Sequence, residues 1–167
     1  HIEAERELEA RTANVVWRDV DALRSDLLID AHRALYGRLP EDDRRSPEGI
    51  AIAPGSVRVD DVTVGRHDAP AHGSLRAFFG RMDDTYPKLR GVDSLLCGIA
   101  AAHHRFAWVH PFVDGNGRAC RLQTHCALFP LNEGLWSVNR GLARDRDGYY
   151  LHLANADQPR QGDIDRR

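Results

Sequence analysis

Apolar residues at three- and four-residue spacing divide the chain into helices. Leu23, Leu27, Leu28, Ala31, Leu35 and Tyr36 form one such face, and with the residues before them they predict helix from 3 to about 38, broken once or twice. Its first part, residues 3–11, is so charged that it reads as a solvated helix whose packing partner is missing. Residues 39–49 are polar and punctuated by prolines, which predicts loop. Valines then alternate at 57, 59, 62 and 64 around Asp60-Asp61, the pattern of a short hairpin. Two strands alone are marginal in water, so this hairpin must lean on helices or on a partner.

Helix is predicted again over 75–86, with a break at 87–91. Val92, Leu95, Leu96, Ile99, Ala102, Phe106 and Val109 then run at helical period as far as His110-Pro111. Proline disfavours helical geometry in the residue before it, so His110 falls at the helix end or in the following loop. After Gly115-Asn116-Gly117 the period resumes with Ala119, Leu122, Cys126 and Phe129, and two shorter helical pieces follow around 135–143 and 149–156. The expected fold is all-α, a helical bundle with a small β-hairpin. Its expected divisions are an N-terminal helical extension (1–22), a core (23–156) and a tail or linker (157–167).

Composition removes several function classes. A length of 167 residues suits one domain, and 23 basic against 25 acidic side chains leave a formal charge of −2, which argues against a nucleic-acid partner. No apolar run approaches the ~18 residues of a transmembrane helix, and the first residues are too charged for a signal peptide, so no membrane association is expected. The three cysteines, Cys97, Cys120 and Cys126, cannot all pair with one another and lie in helical patterns, which points to a reducing cytoplasm. Lys88, the single lysine, follows Pro87 in a loop. That argues against Schiff-base chemistry, and the usual lysine-bearing phosphate loop is absent too. The chain starts with histidine and its one methionine is Met82, so it is expected to be a fragment of a longer polypeptide.

The stretch that carries chemistry is His110-Pro111-Phe112-Val113-Asp114-Gly115-Asn116-Gly117-Arg118-Ala119-Cys120-Arg121. Glycines on either side of an asparagine permit positive φ and leave backbone N–H groups pointing outward at a helix start, which makes an anion site. Arg118 and Arg121, three apart on that helix, can bracket a polyphosphate. Asp114 lies ahead of the amide nest, where a carboxylate suits phosphate only through a divalent cation such as Mg²⁺. His110 has the near-neutral basicity needed to take a proton from a hydroxyl. Together these groups suit phosphoryl or nucleotidyl transfer. Elsewhere His103 reads as a buried structural histidine, Cys120 and Cys126 as packing, and Tyr149 and Tyr150 as helix-packing aromatics. A zinc cluster of His103, His104, His110 and Asp114 is disfavoured because adjacent helical residues point to different faces.

The stretch 110–121 resembles the signature of the Fic domain family, H-P-F-x-[D/E]-G-N-G-R-x-x-R, at every specified position. The lead-in with His103 and Phe106 and the hairpin after Pro54-Gly55 also resemble that family, so that the likeness covers residues 20–156. The resemblance implies an α-helical fold and a protein adenylyltransferase that moves AMP from ATP to a Ser, Thr or Tyr hydroxyl of a target protein. His110 would be the general base and Asp114 the Mg²⁺ ligand. Gly115, Asn116 and Gly117 would form the anion hole, with Arg118 on the β-phosphate region and Arg121 on the γ-phosphate. Phe112 would anchor the loop in the core. Flap residues Val59, Asp60, Asp61, Val62, Thr63 and Val64 would pair with an extended target segment. The family also includes members that transfer UMP, phosphate or phosphocholine. A kinase-type branch carries lysine where this chain has Gly117, which favours AMP transfer. A catalytically silent interaction module and another donor nucleotide stay open as alternatives.

Many Fic proteins also carry an inhibitory helix with the pattern [S/T]-x-x-x-E-[G/N], whose glutamate pairs with the second motif arginine, here Arg121. Of the seven glutamates only Glu48 and Glu133 precede Gly or Asn, and Arg44 and Phe129 stand four residues before them, so neither completes the pattern. Ile2-Glu3-Ala4 resembles the end of such a motif only loosely. The expectation is that this chain lacks its own brake, which truncation has removed or a separate antitoxin-like protein supplies.

Overall fold

The computed structural model describes residues 2–12, 21–65, 67–132 and 135–158. Among them are α1 (Ile2–Thr12), α2 (Ser25–Gly37), α3 (Leu75–Thr85), α4 (Val92–Val109), α5 (Asn116–Asn132), α6 (Val138–Arg144) and α7 (Arg146–Ala156), with strands β1 (Thr63–Val64) and β2 (His67–Asp68). The fold is all-α with one small hairpin, as the periodicity implies. The part of the long first helix expected over 13–20, position 66, Glu133 and the tail beyond 158 lie outside the described residues.

The central element is α5, which lies against α1, α2, α4 and α6. Ala119, Leu122 and Cys126 on α5, Leu28 and Ala31 on α2, and Phe106 and Val109 on α4 have no more than 1% of their surface exposed and form the common core. Removing this apolar surface from water is the main force holding the motif-bearing elements together. At the start of α2 the Ser25 N–H (2.6 Å) and hydroxyl (2.7 Å) both donate to the Asp83 carboxylate. A side chain of α3 thereby supplies the acceptor that an N-cap normally provides.

Two expectations need correction. The charged helix 3–11 does have a partner: Ala4 and Leu8 are fully buried, and α1 packs on α5 and α2. Two residues one turn apart suffice for this seam because the facing elements supply the basic groups. Arg38 pairs with Glu7, and the Nε2 of buried His125 lies 2.7 Å from Glu9 and 3.4 Å from Glu5. The hairpin is also displaced, with its ladder pairing Thr63 with Asp68 and Val64 with His67. Asp60 and Asp61 do not form its turn. The Asp60 carbonyl accepts from Arg58, and the Asp61 carboxylate accepts from the His72 N–H at 2.7 Å and lies 2.9 Å from its ring. Gly65, at φ +63°, provides the left-handed backbone that a tight hairpin turn requires.

Candidate functional site

The motif occupies the connection between α4 and α5. Pro111 blocks continuation of α4, and His110 ends it in the left-handed region at φ 50°, ψ 61°. It is the only non-glycine residue with positive φ among the described residues. The ring Nδ1 lies 3.3 Å from the Ala107 carbonyl, a contact that favours the proton on Nδ1 and leaves Nε2 as the basic atom. Burial lowers its pKa below the ordinary imidazole value, and Arg58 and His67 act in the same direction. The imidazole is therefore neutral at neutral pH, the state a proton acceptor needs.

The loop that follows is closed from several sides. Asn116 takes the Phe112 N–H on its Oδ1 (2.9 Å) and donates to the Phe112 carbonyl through Nδ2 (2.8 Å). Its side chain thus shapes the loop, and what Asn116 offers an anion is its backbone N–H. Phe112 itself is buried and stacks on the His32 ring at 4.0 Å. Gly115 stands at φ +79°, and a Cβ there would lie 2.5 Å from the Tyr36 ring. The first bond of α5 runs from the Ala119 N–H to the Gly115 carbonyl, so the amides of Asn116, Gly117 and Arg118 form the open N-terminus.

Asp114 is fixed by Tyr36, which sequence reasoning placed only on an apolar helix face, and by the motif's own Arg118. The Tyr36 hydroxyl (2.6 Å) and Arg118 Nη2 (2.8 Å) both donate to its Oδ2. Burial alone would raise this carboxyl, but the Tyr36 and Gly115 hydrogen bonds and the Arg118 charge outweigh it and hold the pKa below its ordinary value. One turn earlier on α2, His32 accepts from the Gly55 N–H at Nδ1 (2.9 Å), so its Nε2–H donates to the Asp114 carbonyl (3.1 Å). Burial pushes its pKa down to about 4. The signal in the sequence was two polar side chains one turn apart on an otherwise apolar face. Arg58, also not singled out, donates its Nε–H to the His110 carbonyl at 2.8 Å.

The two motif arginines have partners on different elements. Arg118 lies over the Tyr36 ring of α2 and pairs with Asp114. Arg121 donates to Asn139 on α6 at 3.1 Å and reaches the hydroxyl of Tyr149 on α7. With Arg146 and Tyr150 these groups line a recess of about 370 Å³. Behind it, the Tyr149 hydroxyl lies 2.9 Å from His103 Nε2, and His103 Nδ1 lies 2.7 Å from Thr124. His103 is held at a pKa of about 4 by burial, which fits its reading as a structural histidine. His104 turns instead to Asp157. Among the described residues no carboxylate pairs with Arg121, and Glu3 sits against Arg38. Glu5, Glu9 and His125 are the group of metal-capable side chains found together among the described residues, and they lie on the α1–α5 seam. Residues 59–64 lead into the hairpin, whose second strand meets α4 where His67 Nε2–H donates to the Trp108 carbonyl at 2.7 Å. No helix among the described residues is long and apolar enough to cross a membrane.

Comparisons with known proteins bear on the family and the fold. The chain is 30% identical over 140 residues to a protein of Drosophila willistoni named protein adenylyltransferase Fic, covering 82% of this chain and 24% of that protein. A protein of the same name from Drosophila virilis is 29% identical over 140 residues, with 82% and 25% covered. The chain thus spans about a quarter of the length of these curated relatives. The crystal structure of a Fic family protein from Desulfovibrio desulfuricans superposes with a TM-score of 0.64 at 24% identity, over 89% of this chain and 45% of that one. The sequence model of the Fic/DOC family matches residues 22–128, and the chain belongs to that family.

Proposed function

We propose that this chain is a protein adenylyltransferase that moves AMP from Mg²⁺–ATP to a Ser, Thr or Tyr hydroxyl of a target protein. The observation that carries this reading is the placement of a neutral His110, with its Nδ1 turned to Ala107, ahead of the open α5 N-terminus and its two arginines. His110 Nε2 takes the hydroxyl proton as that oxygen bonds to the α-phosphorus, and the bond to the bridging oxygen breaks to release pyrophosphate. The amides of Asn116, Gly117 and Arg118 hold phosphate oxygens. Arg118 faces the β-phosphate region and Arg121 the γ-phosphate, which a guanidinium with five donors can do while keeping its protein partners.

Asp114 suits Mg²⁺, since its ionised carboxylate keeps a third of its side-chain surface exposed, and that cation favours sites with one or two carboxylates plus phosphate oxygens. When bound, the ion neutralises charge on the leaving phosphates. The target's approach is supported by the flap, where Val59 is 74% exposed at a bend outside the ladder. The neutral partner of Arg121 on α6 supports inhibition by a separate protein bearing a carboxylate. Three free cysteines support a cytoplasmic location.

Labelled ATP tests the reaction. Protein should take label from α-labelled and not γ-labelled Mg²⁺–ATP, and His110→Ala should cut transfer by ~10²–10⁴-fold while ATP still binds. Label from the γ position would mean phosphoryl transfer, and label from neither would mean a silent interaction module.

A further inference from the structure

Arg58 is a buried cation held almost entirely by carbonyl groups. Its side chain is 1% exposed, and its nearest carboxylate among the described residues is exposed Asp61, at 3.9 Å. Removing a guanidinium from water without a close counterion is costly unless its donors are satisfied. Here Nε–H donates to the His110 carbonyl (2.8 Å), Nη1 to the Asp60 carbonyl (2.7 Å), and Nη2 to the carbonyls of Pro70 and, at 3.4 Å, Val109. The Arg58 backbone N–H adds a bond to the Pro111 carbonyl at 2.9 Å. Carbonyls at a helix C-terminus lack intrahelical donors and carry partial negative charge, so this cation caps α4 from outside the helix.

Two features of that clamp bear on chemistry. First, His110 is left-handed at φ 50°, a conformation that is costly for a residue with a Cβ and persists only where its surroundings enforce it. A donor locked onto its carbonyl is such an enforcement. Second, Asp60 and Pro70 flank the hairpin, one just before β1 and one just after β2. The same guanidinium therefore closes the root of the flap and the backbone of the residue that carries the imidazole.

We propose that Arg58 is a positioning residue that holds His110 in its left-handed conformation and joins the flap root to it, so that a target segment docked on the flap is registered against the imidazole. This rests on the reading of His110 as the base. It concerns no contact of Arg58 with nucleotide or target; Arg58 acts through the His110 backbone. Arg58 and His67 on the flap side and Asp114 in the motif loop are the charged or titratable groups that bear on the His110 ring.

Arg58→Met removes the donors while keeping an unbranched aliphatic stem, and Arg58→Lys keeps the charge without the fork. Fold is followed by circular dichroism and melting, Mg²⁺–ATP affinity by calorimetry, and transfer by self-labelling from α-labelled ATP. The His110 ring is followed by its proton resonance against pH. Arg58→Met should lower the turnover rate by ~10–10²-fold, the scale of a catalytic group misplaced by about an ångström. Its ATP affinity should stay that of the parent, and the His110 titration should move to higher pH because a cation that opposes protonation is gone. A folded Met variant with parental turnover and an unmoved His110 titration overturns the proposal. So does a loss of ATP affinity as large as the loss of rate. Should Arg58→Met fail to fold, Arg58→Lys carries the rate and affinity measurements, with a smaller loss of turnover, parental ATP affinity and a His110 titration near the parent's because the charge stays; parental turnover there overturns the proposal. If neither folds, Arg58 serves stability alone and the proposal falls. Parental transfer by His110→Ala would sink the base assignment instead, while the resonance of His110 in Arg58→Met still reports whether the clamp orients that ring.

Discussion

Around the motif loop most polar groups are held from two directions, whereas α6 and α7 bury none of their described side chains. Asp114 has Tyr36 and Arg118 on its carboxylate and His32 on its carbonyl. The far side is open: Leu135 is 87% exposed and Leu151 59%, and the links back to the core are single bonds such as Arg121 to Asn139 and Tyr149 to His103. The lesson is a division of labour. On the proposed function, the groups assigned to proton transfer stand on the side with more contacts, while the wall beyond Arg121 is the more exposed one.

The sharpest way to break this comparison is to make the same substitution in both regions. Gly115→Ala places a methyl against the Tyr36 ring on a left-handed backbone, and should destabilise the protein by about 2–5 kcal/mol from backbone strain and overpacking combined. Urea unfolding measures it, and a loss below ~1 kcal/mol would mean that the loop side yields as easily as the other.

A comparable effect should come from acid, because a buried histidine with a strongly lowered pKa stands in each region. His32 by the loop and His103 behind Tyr149 have folded pKa values of about 4 against an ordinary 6.5. Between those limits the unfolded chain binds protons that the folded one refuses, so stability is full above pH 6.5 and falls as pH drops toward 4. The unfolding constant should change with pH by about two protons from this pair in that window. His103→Gln should remove about one of them, and an unchanged slope would mean that this ring is protonated within the fold.

The smallest effect, of opposite sign, belongs to the open side. Gly141 lies within α6 with nothing inside 4 Å of an added Cβ. Gly141→Ala should stabilise by about 0.5–1 kcal/mol, the ordinary helix preference for alanine. Destabilisation in the same urea series would show that α6 is packed more tightly than its exposure indicates.

Much of this arrangement was legible in the sequence, and the rest failed for identifiable reasons. The stripes ending at Val109 and resuming at Ala119 located α4 and α5 because burial on one face writes a period into the residues themselves. Gly115 marked the nest because few residues accept its left-handed backbone, whereas Gly117 lies within α5 and needs no positive φ. The hairpin slipped because its strands are two residues long, too short for alternation to set a register, and the Asp pair looked like a turn while bonding elsewhere. The burial of α1 was hidden by its charges, as Ala4 and Leu8 make a seam too narrow to register as a stripe. His32 and Tyr36 left only a faint mark, two polar side chains one turn apart on an apolar face, and Arg58 left none. Their roles depend on partners far along the chain, and no local pattern encodes such partners.

The meeting of Tyr36 with Gly115 has a consequence for how such a chain can vary. The ring occupies the space a side chain at 115 would need, while its hydroxyl holds Asp114. A smaller residue at 36 would relieve the steric half of the constraint on 115 but release the carboxylate, and the left-handed backbone would still disfavour anything larger than glycine. Neither position therefore has a neutral path by itself. They behave as a single heritable character written at two separated sites, so recombination that brings α2 from one relative and the motif loop from another should yield working chimaeras only where tyrosine and glycine travel together.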